Sequence, residues 1–303
     1  MNYRRVVKIY ILLLAFWVVL VFGVRSVSGV ESGKLGIFPT DFKEDDPKTR
    51  SWFVYTLKPN EEVSSSVTIQ NKGKERAKLR LYSVDATSNK DGAFTLFSQG
   101  TRNDVGGWII LDTDKIEVPA DSKITVPFIL KIPLSATPGD HVGGIAVEGE
   151  EEVDLSTSGV KLVQRLGVRF YITIEGERVE KLAIKNIKVI ESGGQTYLSY
   201  SLANSGNTNL SPKGSLKIGS VFGSSQMDLG NLGEILAGKE IEGKYKIEGA
   251  KVLPFSVTLD LNYGKSGSVS KSTFFDPTVP VLIFSPLLIL VLAGLFFLFR
   301  KRK

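Results

Sequence analysis

The chain has 303 residues and no cysteine, which excludes disulfides, thiolate metal sites, a cysteine nucleophile and acylation of a lipoprotein cysteine. Its formal charge of +6 would suit a nucleic-acid partner, but Arg4, Arg5, Lys8 and Arg25 crowd one end and Arg300, Lys301, Arg302 and Lys303 the other. The rest holds 30 basic against 32 acidic residues, a net of −2, so a nucleic-acid role loses its support.

The first element is the charge-free run Ile9 to Val24 (IYILLLAFWVVLVFGV), preceded by Arg4, Arg5 and Lys8 and followed by Ser26-Val27-Ser28-Gly29. Basic, apolar and small-residue regions in that order read as a secretory signal peptide over 1–29, cut near Ser28 or Gly29. An uncleaved N-terminal anchor is the competing reading.

Next comes a region of strands. Val63, Val67 and Ile69 fit one; Ile124, Val126, Phe128, Leu130 and Ile132 alternate without a break, as do Leu166, Val168, Phe170, Ile172 and Ile174. Period-2 patterning marks strands with one buried face. Leu198, Tyr200 and Leu202, then Val257, Leu259, Leu261 and Tyr263, repeat it further on. Asn71-Lys72-Gly73, Lys90-Asp91-Gly92 and Asn204-Ser205-Gly206-Asn207 punctuate the runs as turns. No segment from 35 to 277 holds a 3.6 period. The expectation is all-β: two tandem immunoglobulin-like antiparallel β-sandwiches, over 35–176 and 177–277, with the boundary at Glu175-Gly176-Glu177. A faint repeat supports two units, "VTIQNKG" (67 to 73) answering "YSLANSG" (200 to 206), and "IEVPADSKITVPFIL" (116 to 130) answering "GEILAGKEIEGKYKI" (233 to 247). The first unit is long for a simple sandwich, the excess lying in 86 to 107 and around Glu150.

The last element, Val279 to Phe299, is 21 residues without a charge. At about 1.5 Å per residue it spans about 30 Å, enough for a transmembrane helix. Pro280 suits its first turn and Pro286 would kink it. The basic tail 300–303 then marks the cytoplasmic side. A cell-membrane protein with a single pass and most of its chain outside is expected.

The only histidine, His141, lies in "TPGDHVGGI" (137 to 145) beside Asp140. Adjacent strand residues point to opposite faces, so Asp140 is poorly placed to orient that ring, and a lone histidine lacks the further ligands of a zinc site. Pro138, Gly139 and Asp140 read as a structural turn, with Gly143 and Gly144 opening the next strand by close backbone approach. As a turn residue His141 would contribute little to stability; a ligand-binding role stays open. No nucleophile carries a G-x-S-x-G signature, so no catalytic residue, metal site or cofactor is assigned. Glu148, Glu150, Glu151, Glu152 and Asp154 could hold calcium, but lack the alternating spacing of a calcium loop and suit a solvated loop. Among the aromatics, Phe53 and Tyr55 are in phase with Leu57 and read as core. Trp108, in phase with Ile110, also reads as core, while Trp52 on the opposite face is balanced between core and a platform for sugar rings. Trp52, Trp108 and His141 are the candidate ligand-binding residues.

The residues also carry a family pattern. An Asn follows the second strand (Asn71), a Thr-x-x-x-x-Gly turn runs from Thr87 to Gly92, and Trp108-Ile109 precede a strand. Then come a strand ending in Ile132-Pro133 and the sequence Pro138-Gly139-Asp140-His141-x-Gly143-Gly144-Ile145. From about Leu35 to Glu148 this resembles the peptidoglycan-binding domain of the WxL-interacting proteins, a group of Gram-positive cell-surface proteins. In that family the last element resembles a hairpin turn and implies no catalysis. Residues 177 to 277 resemble the family's host-protein-binding domain only loosely. The resemblance implies a membrane-anchored binding protein that contacts peptidoglycan or another cell-wall glycan through the first sandwich, and a secreted or surface protein through the second. The alternative is a ligand-free spacer, or an assembly protein of chaperone-like logic. An enzyme is not expected.

Overall fold

A computed structural model describes residues 34–150, 153–155, 160–162, 164–220, 223–248 and 254–276. The expected signal peptide (1–29), transmembrane helix (279–299) and tail (300–303) lie outside the described residues. Among the described residues no helix is long and apolar enough to cross a membrane.

The fold is all-β. In the first half one sheet has the order β1 (Leu35–Pro39), β3 (Glu62–Asn71), β8 (Ser122–Lys131), β6 (Ile109–Leu111). The facing sheet runs β2 (Trp52–Leu57), β12 (Arg165–Ile174), β9 (Gly139–Gly149), β4 (Ala77–Ser88), β5 (Phe94–Leu96), with β7 (Lys115–Val118) also on β4. A small hairpin, β10 (Val153–Leu155) and β11 (Val160–Leu162), leads into β12. In the second half β13 (Leu182–Ser192), β14 (Gln195–Asn204) and β17 (Glu240–Ile247) form one sheet. The other runs β16 (Gly223–Asn231), β15 (Lys213–Ser220), β18 (Phe255–Tyr263), β19 (Gly267–Phe275).

Alternation explains the layering. On β8 and β12, Val126, Phe128, Leu130, Val168, Phe170, Ile172 and Ile174 are all buried in one cluster, and their strand neighbours point away from it. Its centre is aromatic: the Phe53 and Phe170 rings stack at 4.4 Å, and Phe128 meets Phe53 edge-on at 5.1 Å from the opposite sheet. Burying each such ring contributes about 2 to 3 kcal/mol. A separate cluster built on Leu198, Leu202, Leu216, Val257, Leu259 and Leu261 fills the second half.

Three expectations are corrected. The sandwiches are not wholly antiparallel, because β2 joins β12 in parallel, Trp52 opposite Arg169 through Leu57 opposite Ile174. Gly143 and Gly144 do not open a strand after a turn at Pro138–Asp140 but lie mid-strand in β9, which already starts at Gly139. There they leave room for neighbours: a Cβ on Gly143 would lie 2.7 Å from Val105, and one on Gly144 2.6 Å from Leu96. Leu96 and Val105 belong to the long 86 to 107 segment, so the glycines are where that segment folds back onto the sheet. Finally, Trp108 and Ile110 do not share a face. A helical turn at Val105–Trp108 resets the phase, burying Trp108 (8 % exposed) and leaving Ile110 43 % exposed.

The internal repeat has a structural counterpart. Asn71, buried, accepts from the Gly73 amide at 2.8 Å and donates to the carbonyls of Glu75 (2.8 Å) and Val118 (3.1 Å). Asn204, equally buried, accepts from the Gly206 amide at 3.0 Å and donates to Thr208 (2.7 Å) and Ile235 (3.0 Å). Val118 and Ile235 belong to the second pair of repeated segments. Three residues beyond each, Asp121 and Gly238 both adopt positive φ, 47° and 69°.

Candidate functional site

His141 stands in β9, not in a turn. Its side chain is 15 % exposed and lies against Trp108, ring centroids 4.9 Å apart. Nδ1 is 2.9 Å from an oxygen of Asp104, and Nε2 is 2.9 Å from the Thr137 carbonyl. Both partners can only accept, so the arrangement suits the imidazolium, which donates from both nitrogens. Burial works against that charge, but the hydrogen bond and charge of Asp104, aided by the Thr137 carbonyl, outweigh it and raise the pKa above the ordinary 6.5. A ring engaged at both nitrogens has no lone pair for a substrate proton or a metal. Asp104 is in turn fixed by Asp85, which is buried and accepts the amides of Asn103 (2.6 Å), Asp104 (3.0 Å) and Gly106 (2.8 Å). Neither carboxylate was singled out from sequence; the one clue was that a strand neighbour such as Asp140 cannot do the orienting.

Asp140 faces the other way, to the joint between the halves. Its carboxylate accepts from the Thr173 hydroxyl (2.8 Å), the Arg178 guanidinium (3.0 and 3.2 Å) and the Asn209 amide (2.8 Å). Its own amide donates to the Asn207 carbonyl at 2.7 Å. Gly139 precedes it with φ of 122° and sits so close to Asn207 that a side chain would collide with it. Val142 adds an apolar contact, buried with Ala86 and with Leu236 of the second half.

Beside that joint lies a cleft of about 250 Å³. Trp52, Lys48 and Tyr171 line it from the first half; Arg178, Asn209 and Glu234 close it from beyond. Trp52 is half-buried at the start of the edge strand β2, tilted against Tyr171 at 5.4 Å, with the Arg169 guanidinium 5.5 Å over its ring and 4.5 Å over Phe94. The Tyr171 hydroxyl donates to Glu234 at 2.9 Å. Burial, and then the Glu234 charge, push this phenol up to about 12, so it stays a donor at any ordinary pH. On its other side Trp52 lines a second hollow of about 200 Å³ with Phe42 and Tyr55. One indole thus borders two depressions among polar groups. A larger hollow of about 560 Å³ lies by Tyr82, Arg102, Ile110 and Asp114. Its main polar groups are committed inwardly: Arg102 to the Gly106 (2.9 Å) and Ile109 (3.0 Å) carbonyls, the Tyr82 hydroxyl to Glu148 (2.7 Å). Trp108 presents no such face; a ring buried in the core cannot stack on a polymer. Of the acidic segment, Glu148 pairs with Arg80 (3.3 Å) and Glu150 with Lys115 (3.1 Å), and no group of three metal-ligating side chains occurs among the described residues.

Over residues 39–149 the chain matches one protein family. That family is the WxL Interacting Protein, peptidoglycan binding domain. The WxL-interacting-protein match covers β2 through β9, including Lys48, Trp52, Asp104 and His141, and ends before Tyr171, Arg178, Asn209 and Glu234. No curated protein matches the chain. Among solved structures, it is similar to a chain of a chaperone–tip adhesin complex of CFA/I fimbriae biogenesis, at 12 % identity and a TM-score of 0.38, covering 79 % of this chain and 98 % of that one. It is similar to the class 5 fimbriae chaperone CfaA at 14 % and 0.37, covering 80 % and 99 %, and to the E. coli chaperone DraB at 11 % and 0.36, covering 80 % and 98 %.

Proposed function

We propose that this protein is a cell-surface binder of peptidoglycan, held at the membrane by residues 279–299, with the polymer received in the cleft at Trp52 and the second sandwich offered to a protein partner. The observation that carries the reading is a half-buried tryptophan, inside the segment matched to a peptidoglycan binding domain, at the mouth of a cleft edged with polar side chains. Contact of an indole with a sugar needs ring surface that a ligand can reach with hydrogen-bonding groups around it; Trp52, though flanked by Tyr171 and Arg169, borders two hollows, whereas Trp108 is buried in the core. The role is binding, with no chemical step assigned to any residue. Because the cleft takes walls from both halves, both are needed for full affinity.

The test is sedimentation of the full-length chain, in detergent, with insoluble peptidoglycan. The middle of the chain is near neutral, so retention should not be mainly attraction to acidic wall polymers, and should survive 0.5 M salt, where the Debye length falls to about 4 Å. Trp52→Ala should weaken it by about 1 to 3 kcal/mol. A chain that stays in the supernatant at every salt concentration would remove the polymer-binding reading and leave the ligand-free spacer.

A further inference from the structure

The charges in the Trp52 cleft are unequally used. Asp140 and Arg178 neutralise one another at 3.0 Å. Lys48 and Glu234 do not: among the described residues neither is within ion-pair distance of an opposite charge, and both line the cleft. Both are also held in place. Lys48 sits in a helical turn, Pro47–Arg50, whose start is capped by Asp46 accepting the Lys48 amide at 3.1 Å. The buried Thr49 pins the same turn by donating to the Asp46 carbonyl at 2.6 Å and accepting the Lys43 amide at 2.8 Å. Glu234 is oriented by the Tyr171 hydroxyl. The cleft therefore offers a ligand one ammonium carried on a pinned turn, one oriented carboxylate and the reachable part of one indole.

An uncharged N-acetylated glycan would use the indole alone, and covering the two charges with it would desolvate both without replacing their water, a cost that selects against such a ligand. A ligand with charges of both signs has no such cost. Resting on the peptidoglycan reading above, we propose that the cleft recognises the peptide-bearing part of the polymer: a stem carboxylate at Lys48, the free amine of the stem's diamino acid at Glu234, and a sugar ring or peptide methyl on Trp52. At about 250 Å³ the cleft holds a short piece of polymer, in keeping with a local feature of that kind.

The experiment is calorimetric titration of the full-length chain in detergent with two soluble fragments, a disaccharide carrying its stem peptide with a free diamino-acid amine, and the same disaccharide without peptide, its lactyl carboxyl capped as the simple amide so that it carries no charge. Sedimentation with insoluble peptidoglycan runs alongside. The peptide-bearing fragment should bind at least tenfold tighter. Lys48→Ala and Glu234→Gln should each remove most of that margin without weakening the bare disaccharide, and 0.5 M salt should narrow the margin without weakening the bare disaccharide. Equal affinity for both fragments, with sedimentation intact, would overturn the inference and leave the polymer-binding reading standing. Equal losses for both fragments in Lys48→Ala would also overturn it. Failure to bind either fragment or to sediment would overturn both.

Discussion

Asp140 and Arg178 meet side-on across the joint, Nη1 donating to Oδ1 at 3.0 Å and Nη2 to Oδ2 at 3.2 Å. The same carboxylate takes Thr173 from the first sandwich and the Asn209 amide from the second, so one side chain ties three segments together. Asp140→Ala removes all four bonds and leaves a half-exposed guanidinium. A loss of about 2 to 3 kcal/mol is expected, given the 12 % exposure of the Asp140 side chain. In scanning calorimetry the unsubstituted chain should melt in one coupled transition and the variant in two. Two transitions in both would mean the halves are independent and the joint is loose.

His141 makes stability depend on pH. Its folded-state pKa is raised, so protonation favours the folded chain. That contribution is full below the unfolded value near 6.5 and is lost as pH rises through the folded pKa. Asp104→Asn keeps the shape and removes the charge that outweighs burial; with the carboxylate 40 % exposed, it should cost about 1 kcal/mol at pH 5.5 and less at pH 9. Urea unfolding midpoints at the two pH values, compared between variant and parent, measure the difference. Parallel profiles would show that the pair does not titrate with folding.

Gly139→Val and His141→Ala separate backbone from side chain. Valine at φ of 122° is strained and would press on Asn207, at a cost of about 2 to 4 kcal/mol. His141→Ala deletes two hydrogen bonds and the packing on Trp108, about 1 to 3 kcal/mol, more than a turn residue would forfeit. His141→Ala should not alter Trp52-dependent retention once the chain is folded. Loss of retention in a folded His141→Ala protein would restore the histidine as a binding residue.

Asn71 and Asn204 perform the same task twice. Alanine at either should cost about 2 to 4 kcal/mol, since each leaves a buried amide and carbonyls unpaired. Aspartate at either should cost at least as much near neutral pH, because an oxygen then faces two carbonyls, and less in acid. Denaturant unfolding of the four single variants checks this. An aspartate as mild as the wild type would mean the amide is not donating.

The sequence was informative wherever a local period or a local repeat carried the structure. β8, β12, β14 and β18 alternate because one face of each lies on a core, and the Asn-x-Gly segments stood out because the same short turn recurs. It was silent wherever a side chain is satisfied by a distant one. Asp104 reaches His141 across 37 positions, and Glu234 reaches Tyr171 across 63. No periodicity encodes such partners. The Trp108–Ile110 phase failed for a local reason, since one helical turn between two extended segments rotates the second of them about the chain axis. The cleft was half legible: Trp52 was visible as the off-phase aromatic of its strand, while its charged neighbours come from other elements.

The parallel pairing of β2 with β12 has a mechanical side. Trp52 opens β2, and the chain leaves β12 after Ile174 toward the second sandwich and residues 279–299. With polymer received in the proposed cleft and residues 279–299 as the proposed anchor, the share of tension that enters through Trp52 draws β2 toward its N-terminal end and β12 toward its C-terminal end. Two parallel neighbours pulled that way slide along one another, so their ladder, from Trp52–Arg169 to Leu57–Ile174, is loaded all at once and cannot be peeled open rung by rung. An antiparallel neighbour in the place of β2, gripped at the same end, would be unzipped. The strand that breaks the antiparallel rule is the one through which a tethered wall would pull.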